Sequence, residues 1–506
     1  MRPWFVPRYV VVAMLLMPSV LRAQSPTTAM PLSLADALRL ATGTSEQVSI
    51  ARAGLRRSDG QQLQARSALM PQLSTGLNWQ KTLQNQFQAI SRRSSSGGSG
   101  GGDTSTATNP LTKIFASPYT TTFTLSATQP VFTGGRATAN IRAARVGRES
   151  AEIGITSAQA QVQLTVTEAY FDALLADRLV TIAESSLVQT ERTLRQVQLT
   201  KNVGSASEFE LIRARVTRDN QRPGMLQSRT NRDLAYVRLR QLLNLPPDRA
   251  VRLSDDIVEA PALAPTDASA VPITTVNVSA AEVLAVDPRA SVEVAKALAG
   301  ADTSVPVRAP VRQALKGVEV AKLQLRATKA QRYPQVSVST NYQRLAYPND
   351  GLPRSLSDFF PNWTAGVGVS FPFFTGGRVR GDELAAEASV QEAEQRLRLA
   401  EEGAALDARQ SIAQLAQAEA SWQATVGTAQ QATRAYDIAE VRFREGISTQ
   451  LELAETRVQL QQALANRAKA ARDLQVARIR LQLLRDLPLS GPSSSTSGTS
   501  TPGNTP

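Results

Sequence analysis

The 506 residues include no histidine and no cysteine. That removes the Ser-His-Asp triad, the HExxH zinc motif, disulfides, thiolate metal sites and a lipidated N-terminal cysteine together. Methionine is scarce, at six, so a soft-metal path has no positive sign. Carboxylates are the groups left for chemistry. Glu452 and Glu455 stand three apart, which on a helix puts both on one face. Glu210 sits in Phe209-Glu210-Leu211, which is matched downstream by Leu451-Glu452-Leu453. Nothing in the spacing pairs these acids with a nucleophile, so the expectation is a non-enzyme without cofactor or metal. The plain reading is solvated helix charge with Arg457 as a salt-bridge partner, worth about 0–1 kcal/mol. The sharper reading needs a pore.

The elements that position these acids come from a duplication. Gln129-Pro130-Val131-Phe132-Thr133-Gly134-Gly135-Arg136 returns as Phe371-Pro372-Phe373-Phe374-Thr375-Gly376-Gly377-Arg378. The offset is 242 residues, and it holds through Gly204 and Gly446, Glu210 and Glu452, Arg215 and Arg457, and Pro246 and Pro488. A gapless match of that length is a repeated structural unit.

Before each Gly pair lie two segments of period two. Leu73, Thr75, Leu77 and Trp79 alternate with polar residues, as do Phe123, Leu125, Ala127 and Val131. In the second half Val336, Val338, Thr340 and Tyr342 form one set, and Trp363, Ala365, Val367, Val369, Phe371 and Phe373 the other. These four predicted strands have an apolar face with aromatics near its ends and a polar, nearly uncharged face. A lipid-facing barrel wants that pattern, but the smallest such barrels have about eight strands. An open edge in lipid is not tolerated, so the barrel must be shared between chains.

After each Gly pair, 136–200 and 378–442 lack proline and are rich in helix formers. Ala386, Val390, Ala393, Leu397, Ala400 and Ala404 make a coiled-coil seam. Each helix would be roughly 100 Å long. Turns at Gly204 and Gly446 follow, with Ser207 and Thr449 placed to cap the returning helices. Residues 34–70 read as helix broken at Ala41-Thr42-Gly43-Thr44. A returning helix and a pre-strand helix together match the length of the long one beside them.

The expected division is a signal peptide over 1–23, a first repeat over 24–250, an irregular equatorial linker over 251–310, a second repeat over 311–488 and a disordered tail over 489–506. Arg2 and Arg8, the apolar run Val10–Leu16 and Leu21-Arg22-Ala23 carry the signal reading. A Ser/Gly-rich insert, Ser91–Pro110, lengthens the first strand pair as a surface loop. The net charge of +13 comes from arginines interleaved with acids, so no nucleic-acid partner is expected.

This pattern resembles the TolC-like outer-membrane efflux family, the outer-membrane factors of tripartite efflux and type I secretion systems. The likeness rests on the two strand-Thr-Gly-Gly-Arg-helix copies, the Pro-Gln strand openings at Pro71 and Pro334, and the two Gly turns, across Leu32–Pro488. It implies a mainly α fold with a small transmembrane β part: an internally duplicated coiled-coil helical barrel, with four strands per protomer in a shared 12-stranded barrel. It implies a homotrimer in the outer-membrane lipid of a Gram-negative cell, extending into the periplasm. The implied partners are a periplasmic adaptor and an inner-membrane pump, proton-driven or ABC-type.

By the same resemblance Val203, Gly204, Ser205, Glu445, Gly446 and Ile447 are adaptor-docking tips. Glu210, Phe443, Ser448, Glu452 and Glu455 match the entrance and gate. Thr133, Gly134, Gly135, Thr375, Gly376 and Gly377 form the barrel-to-helix junction. Ser448 stands where some members carry a gating arginine, so the gate network departs from theirs. The expected function is a tripartite efflux channel for small molecules. The alternatives are a type I protein-secretion duct and, remotely, a structural coiled-coil protein.

Overall fold

The computed structural model describes residues 30–83, 118–247, 249–256, 303–348, 351–353 and 355–489. The expected signal segment, the 91–110 insert, most of the linker and nearly all of the tail lie outside the described residues. In chain order the elements are β1 (Met30–Leu32), α1 (Leu34–Thr44), α2 (Glu46–Ser67), β2 (Gln72–Lys81), β3 (Tyr119–Phe132), α3 (Arg136–Asn202), α4 (Glu208–Leu242) and β4 (Val251–Leu253). The second half adds α5 (Ala309–Lys329), β5 (Gln335–Ala346), β6 (Phe359–Ser370), α6 (Arg378–Arg444) and α7 (Gln450–Leu483).

Each half is one 67-residue helix flanked by two shorter ones. α4 and α2 lie along α3, and α7 and α5 lie along α6. The seam expected on α6 faces inward: Ala386, Val390, Ala393, Leu397 and Ala400 are half-buried and Ala404 is buried. Lys322–Glu394 and Lys329–Glu387 ion pairs, at 2.9 and 3.0 Å, flank it from α5.

The short helices meet end to end, and each meeting point needs polar partners because helix termini leave unpaired backbone groups. At the first, the Asn244 side chain donates to the Thr44 carbonyl at 3.4 Å and to Glu46 Oε1 at 2.8 Å. This places the α1–α2 break at Ser45, not at the expected 41–44. α1 runs on through Gly43, whose missing side chain costs only about 1 kcal/mol, because Ala41 is buried in the core. At the second, Arg308 is 0 % exposed. It donates to the Leu484 and Ala404 carbonyls at 3.1 and 3.0 Å and to Asp407 Oδ2 at 2.6 Å, while the Ala309 amide donates to the Arg485 carbonyl at 2.8 Å.

The main core lies at this level, where Val166, Tyr170 and Phe171 of α3 meet Leu239 and Leu243, Val48 and Ile479. The first residues of the 251–310 segment join it, since β4 pairs in parallel with β1. The Tyr170 hydroxyl lies 2.7 Å from the Asp255 carboxylate, and burial pushes its pKa up.

The four remaining strands form one antiparallel sheet in the order β2-β3-β5-β6. Its register stacks Leu77, Phe123, Arg344 and Pro361 in one row and Thr75, Leu125, Tyr342 and Trp363 in the next. The apolar alternates therefore lie on one face, except that an irregularity between Pro130 and Phe132 pairs Phe132 in place of the expected Val131 with Val336. The protomer leaves that face open, with Leu77 74 % and Trp363 75 % exposed. The opposite face carries Ser74, Asn78, Thr124, Ser126, Ser339 and Thr364. β6 stops at Ser370, short of the expected Phe371 and Phe373. Pro372 has no N–H to donate to a ladder there.

Strand passes to long helix through Gly134-Gly135 (φ +63° and +90°) and Gly376-Gly377 (φ +58° and +87°), the left-handed backbone that glycine alone adopts freely. Gly134 has a second reason: a Cβ there would stand 2.7 Å from Tyr333 Cβ and 2.8 Å from the Ala330 carbonyl, whereas Gly376 has nothing within 4 Å. Gly134→Ala should thus combine about 1–2 kcal/mol of left-handed strain with about 1–3 kcal/mol of overpacking. Gly376→Ala should show the strain alone. Thermal unfolding of the two variants checks this, and equal losses would contradict the packing argument.

Candidate functional site at the hairpin tips

The two hairpins α3–α4 and α6–α7 end in turns built alike. Gly204 (φ +81°) and Gly446 (φ +75°) close their helices. The Ser205 amide donates to the Thr200 carbonyl at 2.9 Å and Gly204 to Lys201 at 2.9 Å. The Ile447 amide donates to the Arg442 carbonyl at 2.8 Å and Gly446 to Phe443 at 3.1 Å. Both pairs are the Schellman pattern, which satisfies the last helix carbonyls only if the residue after the cap is left-handed.

The returning helices then start differently. Ser207 Oγ accepts from the Glu210 amide, and the Glu210 carboxylate accepts from the Ser207 amide, both at 3.2 Å. That closed box holds Glu210 against its own helix. Thr449 Oγ1 accepts from the Glu452 amide at 3.3 Å, but the Glu452 carboxylate turns to Arg442 Nη1 at 3.1 Å. Glu455 is exposed with no ion pair among the described residues. Arg442 thus takes the place expected for Arg457, because Arg442 on the last turn of α6 faces the first turn of α7 across the Gly446 turn.

Arg457 points the other way. It is 4 % exposed, between α7 and the α3–α4 hairpin, in a cleft with Thr190, Thr193, Thr217 and Gln450. Its Nε has no hydrogen-bond partner, and burial pulls the guanidinium below its ordinary pKa. The sequence offered no sign of this, since the repeat equates Arg457 with Arg215, which is exposed.

Phe443 is half-buried and packs into two clusters at once. One is Tyr436, Ala439, Leu453 and Leu460; the other is Val197, Leu211 and Ala214. It therefore joins the two hairpins near their ends. Ser448 Oγ is buried without a partner. The tips themselves are apolar and open, with Val203 79 % and Ile447 68 % exposed and Leu199, Phe209 and Leu451 exposed nearby. The structure thus gathers Glu210, Phe443, Ser448, Glu452 and Glu455 around the ends of the hairpins. The junction residues Thr133–Gly135 and Thr375–Gly377 lie at the opposite ends of the long helices.

The family model described as "Outer membrane efflux protein" matches residues 37–245 and 308–485, which are the two halves without the segment between them. The chain belongs to the outer membrane efflux protein family. No curated protein matches it significantly. Among solved structures it is similar to the outer membrane protein VceC of Vibrio cholerae, at 19% identity and TM-score 0.63, over 89% of this chain and 95% of that one. It is also similar to the Campylobacter jejuni CmeC outer membrane channel, at 13% identity and TM-score 0.65, over 90% and 85%. The open-state MtrE outer membrane channel of Neisseria gonorrhoeae aligns at 15% identity and TM-score 0.65, over 92% and 93%. As an outer membrane efflux protein, the chain is an outer-membrane protein.

A buried charge without a partner carries an uncompensated desolvation cost, which an apolar replacement removes, whereas breaking a buried pair costs about 3–5 kcal/mol. Arg457→Met should therefore leave the melting temperature of the purified channel unchanged or raised. A drop on the scale of a broken pair would mean that another chain supplies a carboxylate to Arg457.

Proposed function

We propose that three copies of the chain close one channel that exports small molecules as the outer-membrane duct of a tripartite efflux assembly. The sheet carries this reading. It offers lipid an apolar face yet leaves β2 and β6 as free edges, which hydrocarbon does not tolerate. Three copies bring twelve strands, β2 of one protomer pairing β6 of the next, and the polar face lines the lumen. The long hairpins continue that lumen by roughly 100 Å, to tips that meet a periplasmic adaptor and, through it, an inner-membrane pump. A type I secretion duct would use the same architecture, and the pump decides the cargo.

At the entrance three-fold symmetry turns Glu452 and Glu455 each into a ring of like charges, with Glu210 adding a third on the neighbouring hairpin. Acidic rings around a narrow aqueous pore favour cations. Glu455 carries most of this effect, because Arg442 partly neutralises Glu452 and Glu210 is held in its capping box. In planar bilayers, Glu452→Gln combined with Glu455→Gln should reduce cation selectivity and remove block by multivalent cations added on the periplasmic side. Unchanged selectivity and block would leave these residues as surface charge.

The apolar tips support the docking role. Proline fixes φ near −65° and cannot take the +81° or +75° of the tip glycines. Gly204→Pro or Gly446→Pro should abolish export while trimers still form on native gels. Adaptor cross-links confined to the mid-span level would place docking elsewhere.

A further inference from the structure

Across β2, β3, β5 and β6 two side chains are charged, Lys81 and Arg344. Both are basic and both fall on the apolar, lipid-facing side. Lys81 continues the series Leu73, Leu77 and Trp79 and pairs with Tyr119, and Arg344 continues Val336, Val338 and Tyr342 beside Phe123. They hold one place in the two halves of the repeat. Each is tenth in its strand, counted from Gln72 and Gln335, and each stands two residues beyond an aromatic, Trp79 and Tyr342.

Position along the strand sets the cost. A basic residue facing lipid costs about 2–4 kcal/mol at the bilayer midplane but only about 0–1 near the interfaces. At about 3.4 Å per residue and a tilt of about 45°, the tenth residue stands about 22 Å above the first, near the top of an apolar band about 25 Å tall. The helices leave the sheet at the other end, so this level belongs to the outer leaflet.

Neither cation has a carboxylate partner among the described residues. Lys81 Nζ lies 5.5 Å from the centre of the Tyr119 ring, which itself stacks on Trp79 at 5.7 Å. Arg344 Nε donates to the Tyr342 hydroxyl at 2.9 Å. That bond fixes one edge of the guanidinium and leaves its two terminal nitrogens without a protein partner among the described residues. Tyr and Trp settle at headgroup level, with an apolar body in the chains and a polar tip in water. A guanidinium fork matches two phosphate oxygens, and an ammonium offers a point charge to one.

We propose that the Trp79–Lys81 and Tyr342–Arg344 pairs bind the phosphate of a phosphorylated lipid in the outer leaflet, twice per protomer around the barrel rim. The other account of the two cations, snorkelling to water, asks for no particular lipid. The proposal rests on the membrane placement of the sheet and not on the exported cargo.

The test compares two lipids on the intact channel. Purified protein is mixed with zwitterionic vesicles containing either a phosphorylated glycolipid or the same lipid with its phosphates removed, then re-extracted, and the retained lipid is counted by native mass spectrometry. Wild-type channel should retain the phosphorylated form by about tenfold or more, the scale set by two basic groups at an anionic surface. Lys81→Gln with Arg344→Gln should lose the preference, and Lys322→Gln, far from the sheet, should keep it. Equal retention of the two lipids by the wild type would overturn the proposal, with or without a folded variant. A preference that survives in the double variant would overturn it as well.

Discussion

Each half of this protein is a long helix braced by two shorter ones, and side chains satisfy the polar groups where the short helices meet, at the surface in the first half and fully buried in the second. A helix end leaves several N–H or C=O groups without partners, and burying them unpaired costs about 1–3 kcal/mol apiece. Each half of the repeat solves this in its own way. The first uses Asn244, an amide that reaches Thr44 and Glu46 across the gap. The second uses Arg308, whose planar fork spans two carbonyls and the Asp407 carboxylate at once. The core around Tyr170 and the short β1–β4 pairing gather at this level.

From that fixed level the molecule extends in two directions with opposite demands. Toward the sheet, backbone bonding is exhausted within the four strands except at two edges, and the side-chain pattern is strict. A slip of one residue in register would turn Leu77, Phe123, Tyr342 and Trp363 onto the polar face. Toward the tips, the hairpins end in open apolar residues and lightly paired charge.

The tips also differ between the two copies. Both close on the same left-handed glycine and the same hydroxyl cap. The carboxylate three residues after the cap is held by backbone in one copy and by Arg442 in the other. Phe443, packed against clusters of both hairpins, ties the end of α6 to the first hairpin, while Arg457 lies buried between them, its Nε without a hydrogen-bond partner. Ser448, which stands where some family members carry an arginine, contributes a small buried hydroxyl, so the contacts near the tips come from Phe443 and from the Arg442–Glu452 pair.

The sequence by itself determined whatever depends on neighbours along the chain. The 242-residue repeat, the strand alternation, the glycine turns and the caps at Ser207 and Thr449 were all legible, because period and turn chemistry are local. Near-neighbour effects also misled in small ways: Gly43 and Thr44 looked like a break, and Phe371 and Phe373 looked like strand. Tertiary structure decided the rest. Arg215 and Arg457 occupy equivalent places in equivalent helices, yet one faces solvent and the other a cleft between hairpins. Arg308 reads as one more arginine before a proline-rich helix start and is fully buried. Glu210 and Glu452 share a motif but not a partner. Nothing in the local sequence separates these pairs. Burial and partner choice depend on which helices from distant parts of the chain arrive alongside, and a duplicated sequence folded once has two different sets of neighbours.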